Sequence, residues 1–417
     1  MDGERVRLNP AGGTEAAVVH TAEALAGLGP DVDVWANCPA DLYFEGVRYR
    51  PNQNAAEALA RESYDAFVVV RHLVGATLPV RARLVAHWTN DGLAQPFPHG
   101  LVRWHDRTSD ELVGALHVGE ALRAGLIDLV FAVSQWQAGE HKAHFAIPDD
   151  VLHVIGNGLS REAQATLGVR EHKRPFVLHT LPPDRALPEL IALFPAVRER
   201  VPKAELHAYS RSTLHGVDEA EDWANYGQLY ESLRALPGAK HFDPVEPRAL
   251  HAALRRAKVW VDPTTVEETF SISTLEAQAA GCVPVVSAIG ALPERIEHGV
   301  DGFLVPGDPA EEVVRAEFVD YVTNLLSDDE LHATMSNAAR ERALAPSSSY
   351  AAVAARMLSA LESATEGRDF ATRGLDAARL DFPLPAHRQD GTPHGTLERA
   401  EFERLVALTR RHLALEP

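Results

Sequence analysis

A strand–helix–strand pattern between residues 258 and 286 limits the fold of this chain more than any other stretch. Apolar runs at 258–263 and 282–286 flank residues 268–281, which have the composition of a loop followed by a short helix ending at Gly281. Two apolar strands joined through a helix predict parallel pairing in a βαβ unit. A parallel sheet needs helices on both faces, so the surrounding chain must supply them.

Short apolar runs and helical periodicity alternate on both sides of this unit. Further strands are predicted at 32–35, 45–51, 66–70, 82–87, 128–133, 151–155, 176–180, 205–209, 240–242 and 302–305. The polar segment 160–175 is predicted to be an interdomain linker, and 417 residues are enough for two domains. We therefore predict an α/β protein with a parallel, helix-covered sheet in each half.

The N-terminal region departs from this pattern. Gly12 and Gly13 precede a predicted helix, but the chain before them contains only one short apolar run, Val6–Leu8. A doubly wound sheet has its first, central strand directly before such a glycine loop. Either residues 4–8 form that strand, or the natural protein begins upstream of Met1.

Charge and residue usage argue against several classes of protein. The formal net charge of −19 argues against nucleic acid or an anionic membrane as the main partner. The two cysteines are far apart, and the twenty histidines lack ligand spacing, so neither a metal site nor a disulfide framework is expected. Because the sequence has neither a long apolar run nor a signal-peptide pattern, we expect a cytoplasmic protein without an integral membrane segment.

Two carboxylates frame the helix of the βαβ unit. Glu268 follows the carboxyl end of the first strand, and Glu276 lies eight residues later inside the helix. Ligands bind at this end of the strands in open α/β sheets. Ser271, Ser273 and Thr274 mark the helix start, where free N–H groups and the dipole attract phosphate. The carboxylates can bind the hydroxyl groups of a sugar, and the helix start can bind phosphate. A sugar nucleotide carries both kinds of group.

Four segments together resemble the retaining glycosyltransferases of family 4, the group 1 glycosyl transferases. They are the glycine loop 11–15, the strand and Asn-Gly turn 151–158, the donor segment 268–285 and the segment 292–305. One such segment would be a weak signal, but four in the family's order across two domains are specific.

The resemblance implies the GT-B fold, an α/β architecture in which two Rossmann-like domains with parallel sheets face each other across a cleft. It implies an N-terminal, acceptor-side domain at 1–160 and a nucleotide-sugar-binding domain at 170–345. A crossover helix at 346–363 would return to the first domain. Residues 364–417 lie outside the resemblance, and we expect a loop-rich tail with a terminal helix at 397–413.

The implied activity is hexose transfer from a nucleotide-diphosphate sugar to an acceptor hydroxyl, with retention of anomeric configuration and without a bound metal or other cofactor. The acceptor would be a small molecule or a glycan, and a homodimer is an open option. The mechanism favoured for the family is front-face attack, in which the leaving phosphate takes the acceptor's proton. The alternative is a non-catalytic GT-B relative that binds a nucleotide sugar or supports a partner enzyme.

By the same resemblance, the donor site combines sugar-, ribose- and phosphate-binding residues. Glu268 would contact sugar hydroxyls and Glu276 the ribose hydroxyls. Arg185 would hold the diphosphate where the family has a Lys-Gly pair, while Leu181 or Pro182 replaces an earlier Arg of the family. The predicted donor-binding residues are Gly12, Gly13, Arg185, Glu268, Thr269, Phe270, Ser271, Ile272, Thr274, Leu275 and Glu276.

On the acceptor side, the family often has a His at the end of a strand near the reacting sugar. Alignment on Trp88 and Asp91 puts Asn90 at that position, whereas alignment on the strand end puts His87 there. Both are therefore candidate catalytic residues, in addition to Glu268 and Arg185 of the donor site. The other interpretation of His87 is a histidine packed in the core. The loop 89–107, rich in aromatic and histidine side chains, is predicted to contact the acceptor.

Overall fold

The computed structural model describes residues 2–93, 101–105 and 112–374. The strands within these ranges are β1 Val32–Ala36, β2 Leu42–Phe44, β3 Val47–Pro51, β4 Ser63–Val70, β5 Val80–Trp88, β6 Leu101–His105, β7 Leu112–His117, β8 Leu129–Ala132, β9 Leu152–Val154, β10 Arg174–His179, β11 Glu205–Tyr209, β12 Ala239–Phe242, β13 Ala257–Asp262, β14 Val283–Ser287, β15 Phe303–Val305 and β16 Ala371–Arg373. The helices in the same ranges are α1 Gly3–Leu8, α2 Gly13–Gly27, α3 Ala55–Arg61, α4 Val118–Arg123, α5 Gln135–Phe145, α6 Arg161–Leu167, α7 Leu187–Arg200, α8 Glu219–Ala235, α9 Pro247–Arg256, α10 Ile272–Ala279, α11 Leu292–Arg295, α12 Glu312–Ser327, α13 Asp329–Ala343 and α14 Tyr350–Thr365.

Tertiary contacts divide the chain into two units. Unit 1 comprises Met1–Val34, Leu42–Arg48 and Asn157–Ala355. Unit 2 comprises Trp35–Asp41, Tyr49–Gly156 and the described residues from Arg356 onward. Helix α14 begins in unit 1 and ends in unit 2. The sequence analysis assigned residues 1–160 to one domain, whereas these contacts group the first 34 residues with the later half of the chain.

A partly buried ion-pair network contributes to this grouping of the N-terminal residues. The Arg7 guanidinium lies 2.8 Å from a carboxylate oxygen of Glu23 in α2 and 3.2 Å from one of Glu162 in α6. The charge of Glu23 raises the pKa of Arg7, and burial opposes that shift. The two N-terminal helices are thereby fixed to a helix that is 155 residues away in sequence.

Unit 1 contains a six-stranded sheet in the order β12-β11-β10-β13-β14-β15, with every strand pair parallel. Strand β13 is buried along its whole length because helices cover both faces. The strand order reverses between β10 and β13, which makes their carboxyl ends the switch point where doubly wound sheets bind ligands.

Unit 2 contains a second sheet built on β5. Strands β4 and β8 pair with β5 in parallel, β9 continues the sheet beyond β8, and β16 pairs with β5 antiparallel. Its core includes Leu59, Val69, Val85, Val130 and Phe145. Strand β1 belongs instead to a three-stranded sheet of order β1-β3-β2.

Of the two alternatives considered for the missing central strand, a strand at residues 4–8 is wrong, because this segment is helix α1. The Asp2 carboxylate caps the helix by accepting a hydrogen bond from the Arg5 N–H at 2.9 Å, and Val6 is buried. A capped turn satisfies the local backbone donors without any partner strand.

The linker predicted at 160–175 is also wrong. The Ser160 hydroxyl accepts a hydrogen bond from the Ala163 N–H at 3.0 Å and so caps helix α6, and β10 begins at Arg174. Strand β16 lies in the tail that was expected to be a loop; Arg368 and Arg373 anchor it to the Asp128 carboxylate at 2.6 and 2.7 Å. The helix predicted at 397–413 lies outside the described residues.

Candidate functional site

Arg185 and Glu268 meet at the switch point of the unit 1 sheet. Arg185 ends a short turn after β10, and Glu268 lies in the loop after β13. The Arg185 Nη1–H donates to Glu268 Oε1, and the two side chains are 23% and 10% exposed. The charge of Glu268 raises the pKa of Arg185, with burial opposing it. The structure therefore brings together the predicted phosphate-binding cation and the predicted sugar-binding carboxylate.

Asp262, which the sequence analysis did not select, lies beside this pair at the end of β13. Its side chain is wholly buried, and in the described part of the chain neither carboxylate oxygen makes a hydrogen bond of ordinary geometry. Burial raises its pKa well above the usual range; the negative charge of Glu268 adds to the shift, and Arg185 opposes it. The available signal was an acidic residue ending an otherwise apolar strand.

Ser271 holds the start of α10 in a strained conformation. Its φ of 61° lies in the left-handed region, which is costly for a residue with a Cβ atom. Its Oγ accepts a hydrogen bond from the Thr274 N–H at 3.4 Å and lies 2.8 Å from the Thr274 hydroxyl oxygen. The cap leaves other N–H groups of the first turn without helical partners, which suits an anion.

The loop after β14 supports the Glu268 backbone. Gly290 has φ of 60°, and a Cβ atom there would lie 2.4 Å from Glu268 O and 2.7 Å from Glu268 N. The neighbouring Ala291 N–H donates to Glu268 O at 2.7 Å. A glycine is therefore required where this loop contacts the candidate catalytic segment.

Glu276 is adjacent to a histidine that sequence reasoning also missed. His251 Nε2 of α9 lies 3.6 Å from Glu276 Oε1, and His251 Nδ1 lies 2.7 Å from the Thr166 hydroxyl. That hydroxyl donates its single proton to Glu162 O at 2.8 Å, so it accepts from the imidazole. Tyr350 is buried nearby, and both burial and the charge of Glu276 raise its pKa. The Glu276 carboxylate on α10 is therefore held beside side chains of α9 and α6, and it is not a freely solvated helical glutamate.

The glycine loop lies against the start of α10 inside unit 1. A Cβ atom on Gly13 would be 3.6 Å from Ile272 Cδ1, which is ordinary contact. The Gly12 N–H donates to Glu15 Oε2 at 2.7 Å, so the Glu15 side chain satisfies the N-cap backbone donor of α2. The loop and the donor helix are therefore neighbours, and an internal carboxylate holds the Gly12 amide.

The remaining predicted donor residues are mostly buried. Phe270 is 3% exposed, and the Arg295 guanidinium lies 4.4 Å from the centre of its ring. Leu275 is 2% exposed, and Thr269 and Thr274 are also buried. The side chains of Phe270 and Leu275 fix the loop and helix, so any direct donor contact from these two would come from backbone atoms.

His87 and Asn90 belong to unit 2. His87 is wholly buried in β5, its Nε2 lies 3.1 Å from Arg71 O, and burial lowers its pKa to about 4. Asn90 is buried just past the end of the strand, with its Nδ2 3.5 Å from Trp88 O. Their catalytic assignment stays a prediction.

A polar cluster follows the carboxyl ends of β4 and β5 in the same unit. Arg71, whose φ is 59°, forms a two-point ion pair with the Asp91 carboxylate at 2.8 and 3.0 Å. Thr89 Oγ1 lies 3.1 Å from His141 Nε2. Sequence reasoning found neither Arg71 nor His141, because the contacts of Arg71 with Asp91 and of His141 with Thr89 span 20 and 52 residues.

Three further observations are confined to the described ranges. Cys38 and Cys282 are both buried, and they form no disulfide bond. No group of three or more His, Cys, Asp or Glu side chains there is arranged to hold a metal ion. No described helix combines the length and apolar character that a membrane crossing requires.

Comparison with known families gives a match in the later half of the chain. Residues 169–342 match the family described as glycosyl transferases group 1. A D-inositol 3-phosphate glycosyltransferase of Corynebacterium efficiens is 30% identical over 238 residues, which cover 56% of this chain and 54% of that protein. A glycogen synthase of Mycobacterium tuberculosis is 26% identical over 344 residues, which cover 70% and 78%. The chain thus spans about half the length of the inositol-phosphate relative.

Solved structures match over a larger share of the chain. Sucrose-phosphate synthase from Thermosynechococcus elongatus has a TM-score of 0.63 at 18% identity, covering 87% of this chain and 97% of that one. HepE from Anabaena, solved with UDP and glucose, has a TM-score of 0.58 at 17% identity, covering 84% and 96%. At such identities the likeness shows the fold alone, and the prediction of a GT-B fold is confirmed. The family match, the donor-segment motifs and the parallel sheet agree, and residues 169–342 are similar to the group 1 glycosyltransferases.

Proposed function

We propose that this protein transfers a hexose from a nucleotide-diphosphate sugar to an acceptor hydroxyl, with retention of configuration and without a bound metal. The observation that carries the proposal is the Arg185–Glu268 pair at the switch point of the unit 1 sheet. The relatives named for transfer to inositol phosphate and for glycogen synthesis support the same reaction class.

The phosphate end of the donor would bind Arg185 and the free N–H groups at the start of α10. As the glycosidic bond breaks, negative charge grows on the leaving diphosphate. A guanidinium and a helix terminus therefore stabilise the transition state more than the bound substrate. Through these two groups the protein would supply the positive charge that the leaving group needs.

Glu268 and Glu276 would bind the hydroxyl groups of the donor. When Arg185 takes a phosphate oxygen, Glu268 becomes free to accept hydrogen bonds from the transferred sugar. Glu276 can accept both hydroxyls of a ribose diol with its two oxygens. The bond between the anomeric carbon and the phosphate oxygen breaks, the bond to the acceptor oxygen forms on the same face, and the acceptor's proton passes to the leaving phosphate.

The test is a donor screen followed by variants of the ion pair. Purified protein is screened by thermal shift with UDP-, GDP-, ADP- and dTDP-sugars, and donor turnover is then measured with and without acceptors. Arg185→Gln and Glu268→Gln are each expected to lower kcat/KM by about 10²–10³-fold. Arg200→Gln, which removes an exposed cation paired with Asp320 in the same unit, should leave turnover unchanged.

Two outcomes count against the proposal. Parental turnover in both ion-pair variants would show that the site lies elsewhere. Donor binding without even slow hydrolysis of any sugar nucleotide would favour a non-catalytic protein that binds a nucleotide sugar.

A further inference from the structure

A cavity opens at the end of the unit 1 sheet opposite the candidate donor site. It lies at the amino ends of β10, β13 and β14, and its volume is about 220 Å³. The polar groups that the argument uses are Arg170, Lys173, Asn337 and Arg340. Because β13 is six residues long, roughly 20 Å of strand separates this cavity from Glu268.

The cationic groups of this cavity contact neutral oxygens. Lys173 Nζ donates to Leu254 O at 3.2 Å and to Ala280 O at 2.8 Å. Arg340 Nη1 donates to Ala279 O at 3.0 Å. Arg170 Nη1 donates to Asn337 Oδ1 at 2.8 Å.

The carboxylate at the cavity wall is already engaged. Glu171 lies 2.7 Å from Arg255 and 3.2 Å from Arg256, and these two guanidiniums lower its pKa. The cavity therefore carries an excess of positive charge on a chain whose net charge is −19. Burial lowers the pKa of Lys173 to about 8, and burial and then Arg170 lower that of Arg340, as expected for uncompensated cations.

Helix capping explains only part of this arrangement. The carbonyls that accept from Lys173 and Arg340 lie at the carboxyl ends of α9 and α10, where cations stabilise the helix dipole. Arg340 also donates to Leu167 O at 3.3 Å through Nη1 and to Gly168 O through Nη2. After these bonds, the Lys173 ammonium retains one N–H, and the Arg340 guanidinium retains its Nε–H and one N–H on Nη2. Arg170 and Asn337 cap neither helix, and the amide group of Asn337 can still donate because its oxygen accepts from Arg170.

We propose that this cavity binds a phosphate group, as inorganic phosphate or as a small phosphate monoester. Arg170, Lys173 and Arg340 supply the positive charge, and the Asn337 amide supplies a neutral donor. Arginine forks and a lysine point charge are the usual protein ligands of phosphate oxygens. The site is separate from the donor site, so the proposal stands independently of the catalytic one.

The test is titration of the full chain with inorganic phosphate by calorimetry, at constant ionic strength maintained with chloride. Asn337→Asp places a carboxylate against Arg170, and Arg170→Gln removes one cation; both residues are exposed, so both variants should fold. Each is expected to raise the Kd for phosphate at least tenfold. Arg61→Gln, which removes an exposed cation from unit 2, should bind phosphate like the parent.

A second readout follows Lys173 itself. Carbon-13 NMR of reductively methylated protein should show one lysine, absent in Lys173→Met, whose pKa rises when phosphate is added. Tighter binding of glucose 6-phosphate than of inorganic phosphate would identify a monoester as the ligand, and the reverse order would identify the free ion. Failure of both to bind, or equal affinity in Asn337→Asp, Arg170→Gln and the parent, would overturn the proposal.

Discussion

Glu276, the carboxylate proposed to bind the ribose, lies close to the side chain of His251 in helix α9. His251 contacts Thr166 through Nδ1 and faces Glu276 through Nε2. The ring of His251 therefore lies between the Thr166 hydroxyl, 2.7 Å from Nδ1, and the Glu276 carboxylate, 3.6 Å from Nε2. This makes His251 a positioning residue for Glu276 in the proposed reaction.

Two substitutions of His251 separate its two contacts. Gln places an amide donor near the Nε2 position, and Asn places one near Nδ1. We expect His251→Gln to keep KM for the donor within about twofold. His251→Asn should raise KM about tenfold with little change in kcat, since it loses only a binding contact. Steady-state kinetics with the donor found in the screen measures both, and an equal KM in the two variants would contradict the positioning role.

Residue identities were predictable where chemistry and strand position coincide. Glu268 was selected because it follows a predicted strand and Arg185 because of the family resemblance, and the structure brings the two together. Asp262 and Gly290 were missed because their importance arises from neighbours that only the folded sheet supplies. The register Asp262↔Val286, for example, is a property of β13 and β14 together.

At the scale of elements, the β14 loop sets the position of the Glu268 segment. Gly290→Ala forces a Cβ atom into the Glu268 backbone, whereas Gly299 has φ of 78° with nothing within 4 Å of an added Cβ. Gly299→Ala should cost about 1 kcal/mol of stability from backbone strain alone, with donor kcat/KM unchanged. Gly290→Ala should cost more stability and lower kcat/KM at least tenfold.

Thermal unfolding and donor kinetics on both variants check this expectation. Equal effects of the two substitutions on kcat/KM would show that the contact between Gly290 and Glu268 has no functional role.

Element boundaries follow the sequence where local signals agree. Helix α5 begins after Ser134, an N-cap residue type whose hydroxyl accepts a hydrogen bond from the Gln137 N–H at 3.0 Å. Helix α1 was not predicted, because the strand considered for residues 4–8 rested on the analogy to a doubly wound sheet, while the local Asp2 cap favours a helix.

At the scale of the whole molecule, both units carry buried neutral histidines. Burial lowers the pKa of His87 and His141 in unit 2, and of His179 and His332 in unit 1, to about 4. The unfolded chain binds these protons near pH 6.5 and the folded chain does not. The free energy of unfolding should therefore fall by roughly 1–2 kcal/mol for each histidine between pH 6.5 and 5.

Asp262 changes the free energy of unfolding with pH in the opposite direction from the four histidines. Its raised pKa means that the folded chain keeps a proton which the unfolded chain loses above about pH 4, so its effect on stability declines as pH rises. We expect Tm to be highest near neutral pH and to fall on acidification to pH 5. Scanning calorimetry from pH 5 to 8 tests this, with His87→Gln and His179→Gln expected to flatten the acid limb. A Tm that is equal at pH 5 and 7 would contradict the expectation.

The division of the chain into units could not be read from the sequence. The alternation of strands and helices predicted two parallel sheets; among the described residues the unit 1 sheet is wholly parallel, and the unit 2 sheet is parallel except for β16. The assignment of Met1–Val34 to unit 1 rests on contacts such as Arg7–Glu162, which have no local sequence signal.

The carboxylates of Glu15 and Glu268 hold the two groups of unit 1 that the proposed diphosphate would need, the Gly12 amide and Arg185. Because these carboxylates belong to the same chain, they compete for the Gly12 amide and Arg185 at a high effective concentration. A dissolved anion must overcome this competition before it can bind. Chloride or free phosphate offers one charged contact and gains little from such a displacement. A sugar nucleotide adds contacts through its sugar and ribose, so the same displacement gives the site selectivity for a ligand that carries all three parts.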